Sequence, residues 1–246
     1  LAGLPEIEPG HDLGAAAAQA ASSAGHALDG CVLAISQKVV SKAEDRVVEL
    51  DSVTPGEAAL ELAGRTARDP RLCELILSES RDVIRVDQQR GIVIVETRHG
   101  FICANAGIDS SNSARPGSVI LLPEDPDASA RRIRAEVEKE SGSRPAVLVT
   151  DSFGRAWRLG QSEVAIGCAG IDPLDDWRGL ADSAGRELAA TVIAVADQIA
   201  GAADLARSKT SRTPAVLVQG VGRFVIDEDG PGCSAQLRPA ADDLFR

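Results

Sequence analysis

Short apolar runs, separated by polar and glycine-containing turns, recur along the whole chain. Cys31–Val40 (CVLAISQKVV), Asp82–Val86, Ile92–Glu96, Phe101–Ala104, Ala146–Thr150 and Pro214–Gln219 each have the length and apolarity of a strand. Ala146–Thr150 is wholly apolar, as befits a strand inside a sheet, and Pro214–Gln219 reads as a second buried strand. Cys31–Val40 is expected to run into a polar turn at Ser41-Lys42-Ala43-Glu44. Helical patterning lies between these runs. The alanine-rich stretch Gly14–Ala27 favours a helix, as do Glu57–Thr66 and a segment opened by Asp69-Pro70 and continuing through Ser78. Asp127 predicts an N-cap for a helix that puts Ile133 and Val137 on one face. Thr191–Leu205 (TVIAVADQIAGAADL) is the clearest amphipathic helix. The opening LAGLPEIEPGHDL is extended and proline-punctuated, and Phe153–Gly170 is too rich in glycine for a long helix. No internal repeat or low-complexity linker interrupts this alternation, which predicts an α+β or mixed α/β fold.

Composition narrows the picture. A chain of 246 residues can bury a sizeable core, as one large domain or as two small lobes. Aromatic residues make up only 2%, and tyrosine and methionine are absent, so the core must be built from Val, Ile, Leu and Ala. A net charge of −11 excludes a nonspecific nucleic-acid binder, which needs a basic face to neutralise phosphates. It leaves room for an anionic substrate, because a metal ion and a few local cations can reverse the field inside a cleft. Cys31, Cys73, Cys103, Cys168 and Cys233 show neither a C-x-x-C pair nor disulfide-like spacing, which predicts reduced thiols in a cytoplasmic protein. No signal peptide and no bilayer-spanning apolar stretch is evident. The lack of an initiator Met points to a trimmed chain or one that begins inside a longer one.

The candidate chemistry sits where apolar runs end. Asp109 in FICANAGIDSSN and Asp151 in PAVLVTDSFGR each close such a run and are followed by small, hydroxylated and glycine residues. A carboxylate at the tip of a buried strand is a natural ligand for a hard divalent cation, with substrate phosphates and water completing the shell. Asp109 with Asn112 also fits an ordinary Asx turn. Asp151 is accompanied by Ser152, Arg155, Arg158 and Gln161 in one glycine-flexible loop, which favours function over an internal Arg–Asp network. Neither a P-loop nor a GxGxxG fingerprint is present. Lys38 and Lys42 could meet a phosphate as point charges, although spacing alone favours solvated surface lysines. Glu96, Arg98 and His99 form another polar strand end, with His99 in a structural or substrate-contacting role.

These segments carry a resemblance. GLPEIEPGHDL, SQKVVSKAE, RDPRLCELILSES, VETRHGFICANAGIDSSN, LLPEDPDASARRIR, VTDSFGRAWRLGQSEVAIG, VIAVADQIAGAADL and LRPAADDLF are similar, in order and spacing, to the coenzyme F420-0:γ-glutamyl ligase family. That family includes the N-terminal domain of the two-domain bacterial enzymes. The resemblance implies a family-specific α+β fold, a single ligase domain over residues 1–246 and an intertwined homodimer. It further implies addition of L-glutamate to the phospholactyl end of the deazaflavin coenzyme F420-0. Growth of a γ-linked tail follows, with GTP consumed and GDP and phosphate released. By the same resemblance Leu4, Pro5, Glu6 and Ile7 line the guanine nucleotide site, and Gln37, Lys42 and Asn112 contact GTP. Asp109 and Asp151 match ligands of a first metal ion and Ser152 a ligand of a second, the two being manganese or magnesium, with potassium as an additional cation.

Some positions depart from the family pattern. Ser152 stands where threonine is usual, Gln219 where arginine is common, and ARSKTSRTP where many members have a glycine-led loop. Ser208 and Lys209 are the nearest equivalents of that loop's GTP and metal contacts. The sequence ends at Arg246, where two-domain members continue into a flavin-reductase-like domain, so no such domain is expected in this chain. The reading that results is a GTP-dependent acid–amino-acid ligase in which Asp109, Asp151 and Ser152 hold the metal ions. Arg155, Arg158 and Lys42 would stabilise charge. Its rivals are a metal-dependent phosphohydrolase and a nucleotide-binding protein without ligase activity. Neither a nucleic acid nor a membrane is an expected partner.

Overall fold

The computed structural model describes residues 1–110, 116–207 and 213–243. Helix α1 (Leu13–Ser23) is capped by Asp12, whose carboxylate accepts the Ala15 N–H. It stops short of the expected Ala27. Strand β1 (Val32–Ser36) runs directly into helix α2 (Gln37–Ala43). Here the structure corrects the sequence reading, which made Cys31–Val40 one strand. Gln37, Val40 and Ser41 are fully buried, at the three- and four-residue spacing of a helical stripe. That stripe turns the chain as soon as Ser36 leaves the extended region.

Strand β2 (Val47–Glu49) precedes helices α3 (Glu57–Thr66) and α4 (Pro70–Ser78), both with the predicted bounds. Asp69 caps α4 through the Arg71 N–H, and Pro70 occupies the first turn, where a missing N–H costs nothing. Strands β3 (Ser80–Asp87), β4 (Ile92–Thr97) and β5 (Ile102–Ala104) form an antiparallel three-stranded sheet. Val93 and Val95 of β4 are fully buried with Leu62, Cys73 and Ile76 of the two helices.

Strand β6 (Ser118–Ile120) pairs with β2. Helix α5 (Pro126–Ser141) follows, capped by Asp125 rather than Asp127. With Pro126 fixed at the first helical position, the cap falls one residue earlier than expected. The Asp127 carboxylate instead accepts N–H bonds from Cys168 (2.9 Å) and Cys233 (2.7 Å), tying the start of α5 to two distant segments. Ile133 and Val137 are fully buried, as their shared face predicts.

Strands β7 (Ala146–Arg155) and β8 (Arg158–Ala169) form a long hairpin. The short strands β9 (Leu174–Asp176) and β10 (Val192–Ala194) pair with each other, and helix α6 (Val195–Leu205) follows. Thr191–Leu205 is therefore helical only from Val195, because its first residues are claimed by β9. Strand β11 (Ala215–Val218) completes a four-stranded sheet of order β11-β1-β7-β8. Its edge position leaves Val216, Leu217 and Val218 half-buried, where a fully buried strand was expected.

Strand alternation gives this sheet two apolar faces. Leu33, Ile35, Val147 and Val149 pack with Leu13 of α1 and Ile133 and Val137 of α5. Val32, Ala34, Ala146 and Leu148 pack with Val195, Ile199 and Ala203 of α6 on the other side. The helices approach closely. A side chain at Gly14 would overlap Glu136 and Ile133 of α5, and one at Gly167 would overlap the Pro126 backbone. Arg134 is 1% exposed and holds the segment after β11 against the sheet. Its guanidinium donates to the carbonyls of Pro145, Ile226, Asp227 and Glu228 and to the Asp229 carboxylate.

Strands β1 and β7 are parallel neighbours, with Ser36 opposite Thr150. The parallel pairing ends there: Gln37-Lys38 turn off into α2 while Asp151-Ser152 continue along β7, so the two pairs of residues lie in one place. Crevices at the carboxyl ends of parallel strands are where ligands collect in α/β sheets.

Candidate active site

Asp109 lies outside this sheet, bridged to Ile120 of β6. It is reached from α2 by Lys38, whose ammonium is 2.6 Å from the Asp109 carboxylate. Asp151 faces the same recess, close enough for the charges of Asp109 and Lys38 to act on it. Its carboxyl is pushed up to about 7, first by burial and then by the neighbouring Glu163 and Asp109 carboxylates. The Ser152 N–H and Lys38 oppose the shift. Helix α2 thus overturns the surface reading of both lysines. Lys42 points inward as well, with a side chain only 13% exposed and 2.9 Å from Glu6.

Ser152 follows Asp151 on the strand, so its side chain leaves the opposite face of β7. Its hydroxyl donates to Glu163 at 2.6 Å, directly across the hairpin where the two residues are paired. Glu163 was missed in the sequence. Hairpin register alone would not have found it: a two-residue tip at Ala156-Trp157 sets Ser152 against Gln161, and only the register shift between Gly154 and Arg155 brings Glu163 opposite Ser152. Glu163 is in turn 3.4 Å from Arg207, which follows α6 and also donates to Thr150 and to the Ala34 carbonyl. Arg207 thereby pins the ends of β1 and β7 together, a role with no sequence signature.

The remaining candidates separate into groups. Gln37 is fully buried, its carbonyl held by the Ser41 hydroxyl and its Nε2 donor without a partner. Ile7 belongs to the core cluster and Leu4 packs against it, whereas Pro5 and Glu6 are exposed. Arg155 and Arg158 sit at the exposed tip of the β7–β8 hairpin, where Arg155 donates to the Leu159 carbonyl at 2.6 Å. The Arg155 guanidinium is thus engaged within its own hairpin tip. Glu96 pairs with Arg81 and Arg98 with Glu79, and His99 Nε2 lies 2.9 Å from the Pro123 carbonyl. Gln219 hydrogen-bonds the Cys31 thiol. Asn112, Ser208 and Lys209 lie outside the described residues.

Asp109 and Asp151 lie within reach of each other's charge with all-oxygen chemistry, which fits magnesium or manganese rather than a softer ion, and the charge of Glu163 reaches Asp151 from the Ser152 side of the strand. The three do not form a compact trio. Among the described residues the one group of three potential ligand atoms all within 4.8 Å is Asp127, Cys168 and Cys233. That group is accounted for by the N–H bonds to Asp127 and by two thiols buried in the core.

The sequence profile of the family described as F420-0:Gamma-glutamyl ligase matches residues 3–220. The chain belongs to this ligase family. It is similar to the Coenzyme F420:L-glutamate ligase of Methanothermobacter thermautotrophicus, with 40% identity over 246 residues, 99% of this chain and 96% of the relative. The protein of that name from Methanopyrus kandleri is 42% identical over 243 residues, 98% of this chain and 94% of the relative. That from Methanocaldococcus jannaschii is 38% identical over 219 residues, 89% and 85% of the two chains. Asp109 and Asp151, the residues that the family resemblance singles out for a metal ion, lie close enough for the charge of one to act on the other. No described helix is long and apolar enough to cross a membrane.

Proposed function

We propose that this F420-0:γ-glutamyl ligase family member joins L-glutamate to coenzyme F420-0 with GTP, and then lengthens a γ-linked glutamate tail. The observation that carries the reading is the approach of Asp109 to Asp151, beside the point where the parallel pairing of β1 with β7 ends, in a chain aligned almost end to end with relatives named for this reaction. Asp109 and Asp151, with Ser152 and Glu163 beside them, would hold two divalent ions, manganese or magnesium. When bound, such ions supply charge neutralisation between phosphate and carboxylate oxygens.

The residues of the chain would do the rest. Asp109 and Asp151 would hold the cations that offset the charge of the acceptor carboxylate and the γ-phosphate, while Gln37 Nε2 and Lys42 meet nucleotide oxygens from α2. The acceptor carboxylate forms an O–P bond as the bond to GDP breaks, giving an acyl phosphate. The glutamate amine then forms the amide as phosphate leaves, and its proton passes to solvent. Mass spectrometry of products from F420-0, glutamate, GTP and manganese tests the reading. Glutamylated F420 with matching GDP is the expected result. GDP released equally without acceptor and glutamate would make the protein a phosphohydrolase, and tight GTP binding without turnover a nucleotide-binding protein.

Ser152 offers a finer check. Ser152→Thr keeps the hydroxyl and should ligate within about twofold of wild type, whereas Ser152→Ala should lose roughly 10- to 100-fold and regain part of it at high manganese. An alanine variant with an unshifted manganese curve would remove Ser152 from the metal site.

A homodimer belongs to the same proposal. At the β7–β8 tip Trp157 is 87% and Leu159 97% exposed, and Trp157 is held at φ +64°, a costly conformation for a bulky residue. A turn optimised for itself would carry Asn or Gly there. Two large apolar side chains at such a tip are better explained by a protein surface that covers them. Trp157→Ser combined with Leu159→Ser should lower the mass seen by light scattering from dimer towards monomer. A wild-type protein that is monomeric across a concentration series would refute the dimer. The five cysteines, all buried and unbridged, support a reducing, cytoplasmic setting.

A further inference from the structure

Half of the phenylalanines in this aromatic-poor chain meet beside the carboxylates. Phe101 and Phe153 pack edge to face with centroids 6.0 Å apart, and His99 stacks on Phe101 at 5.7 Å. Phe153 lies two residues beyond Asp151 on β7, hence on the same face and about 7 Å along the strand. Cys103 lies two residues beyond Phe101, and its thiol senses the charge of Asp151. The two strands therefore match aromatic to aromatic and Cys103 to Asp151, so the ring pair and the carboxylate border one continuous wall.

A cavity of about 230 Å³ opens on this wall, closed from the other side by Gln236, Leu237 and Arg238 of the C-terminal segment. A second cavity of similar volume adjoins it across Phe101 and Leu237. Together they reach the size of small-molecule sites. Two of the lining residues carry a buried polar atom without a partner: Gln236 Oε1, an acceptor, and His99 Nδ1. Arg238 adds an exposed cation at the rim.

We propose that this groove seats the planar ring system of the acceptor, with the rings against Phe101 and Phe153, a ring N–H on Gln236 Oε1, and the anionic tail directed along β7 to Asp151. The inference rests on the ligase reading, and it assigns the acceptor a place that no family motif supplied. A flat heteroaromatic with N–H donors matches the groove in shape and in the unpartnered acceptor; the lining charge is mixed, Arg238 being accompanied by Asp243, Glu124 and Asp125. The guanine base is the competing flat ligand, but the candidate nucleotide contacts among the described residues come from other elements, α2 and the N-terminal segment.

The test compares Phe153→Leu, Phe101→Leu and Gln236→Ala with wild type, in steady-state kinetics and in calorimetric binding of F420-0 without GTP or glutamate. Removal of a stacking ring should raise the KM and Kd for F420-0 roughly tenfold, with the KM values for GTP and glutamate within about twofold. Gln236→Ala should weaken F420-0 binding while leaving the melting temperature unchanged, so it reads the groove even where a phenylalanine variant folds poorly. A raised KM for GTP instead would hand the groove to guanine and overturn the proposal. Unchanged F420-0 affinity in all three variants would overturn it too. Wild-type protein that binds F420-0 in a variant-sensitive way yet makes no product would sink the ligase reading and leave the groove standing. No F420-0 binding at all would remove both.

Discussion

Asp151→Asn and Asp109→Asn should each lower ligation by at least about 100-fold, a loss larger than that from disturbing an outer partner of a metal ligand. For Asp151→Asn the folded state should not suffer. Asp151 is held where burial and the Glu163 and Asp109 carboxylates oppose its charge. Asparagine keeps the shape and removes that repulsion, so in chelator the Asp151→Asn protein should melt at or above wild type. Manganese should then reverse the order, because an ion that binds only the native carboxylate site stabilises wild type by mass action. The measurement is a pair of thermal melts, with and without manganese, beside the activity assay. Equal manganese stabilisation of wild type and variant, or near-normal turnover at low manganese, would remove Asp151 from the metal site. Such a site is bought with stability, which is why its charge-free variant is the steadier one without metal.

The largest stability effect is expected at Arg134. Its fully buried guanidinium serves four backbone carbonyls and the Asp229 carboxylate. Arg134→Met keeps much of the volume but strands those acceptors, and a loss of about 3–5 kcal/mol is expected. For a chain of this size that corresponds to roughly 10 °C in melting temperature. Arg134→Lys should not rescue it, since a single ammonium cannot span acceptors on both sides of a planar fork. A lysine variant melting within a degree or two of wild type would show that one cation, rather than the fork, holds the segment 226–229.

The sequence foretold elements whose signals were local and agreed with one another. Helices α3 and α4 have the predicted bounds, and Asp69-Pro70 marks a start that no tertiary contact had to decide. It misled where two signals competed. In CVLAISQKVV β-branched residues argued for a strand, but Gln37, Val40 and Ser41 carry a helical stripe that burial against the sheet made dominant. At α5 Pro126 outweighed the better placed Asp127, which then served a distant pair of N–H groups. In the site, Asp109 and Asp151 were legible because each ends an apolar run. Their meeting was not, for it depends on the parallel pairing of β1 with β7 and on Lys38 reaching from a helix whose sequence reads as strand and turn. Glu163 and Arg207 are long-range by nature: one is set by cross-strand register, the other by where α6 ends.

The hairpin tip also has an optical consequence. With no tyrosine and two tryptophans, the chain emits near-ultraviolet fluorescence from Trp157 and Trp177 alone. Trp177 is half-buried, whereas Trp157 stands in water. Whatever surface comes to cover the tip must carry that indole into apolar surroundings and move its emission to the blue. The protein is thus its own unlabelled gauge of docking, readable at concentrations far below those that scattering requires.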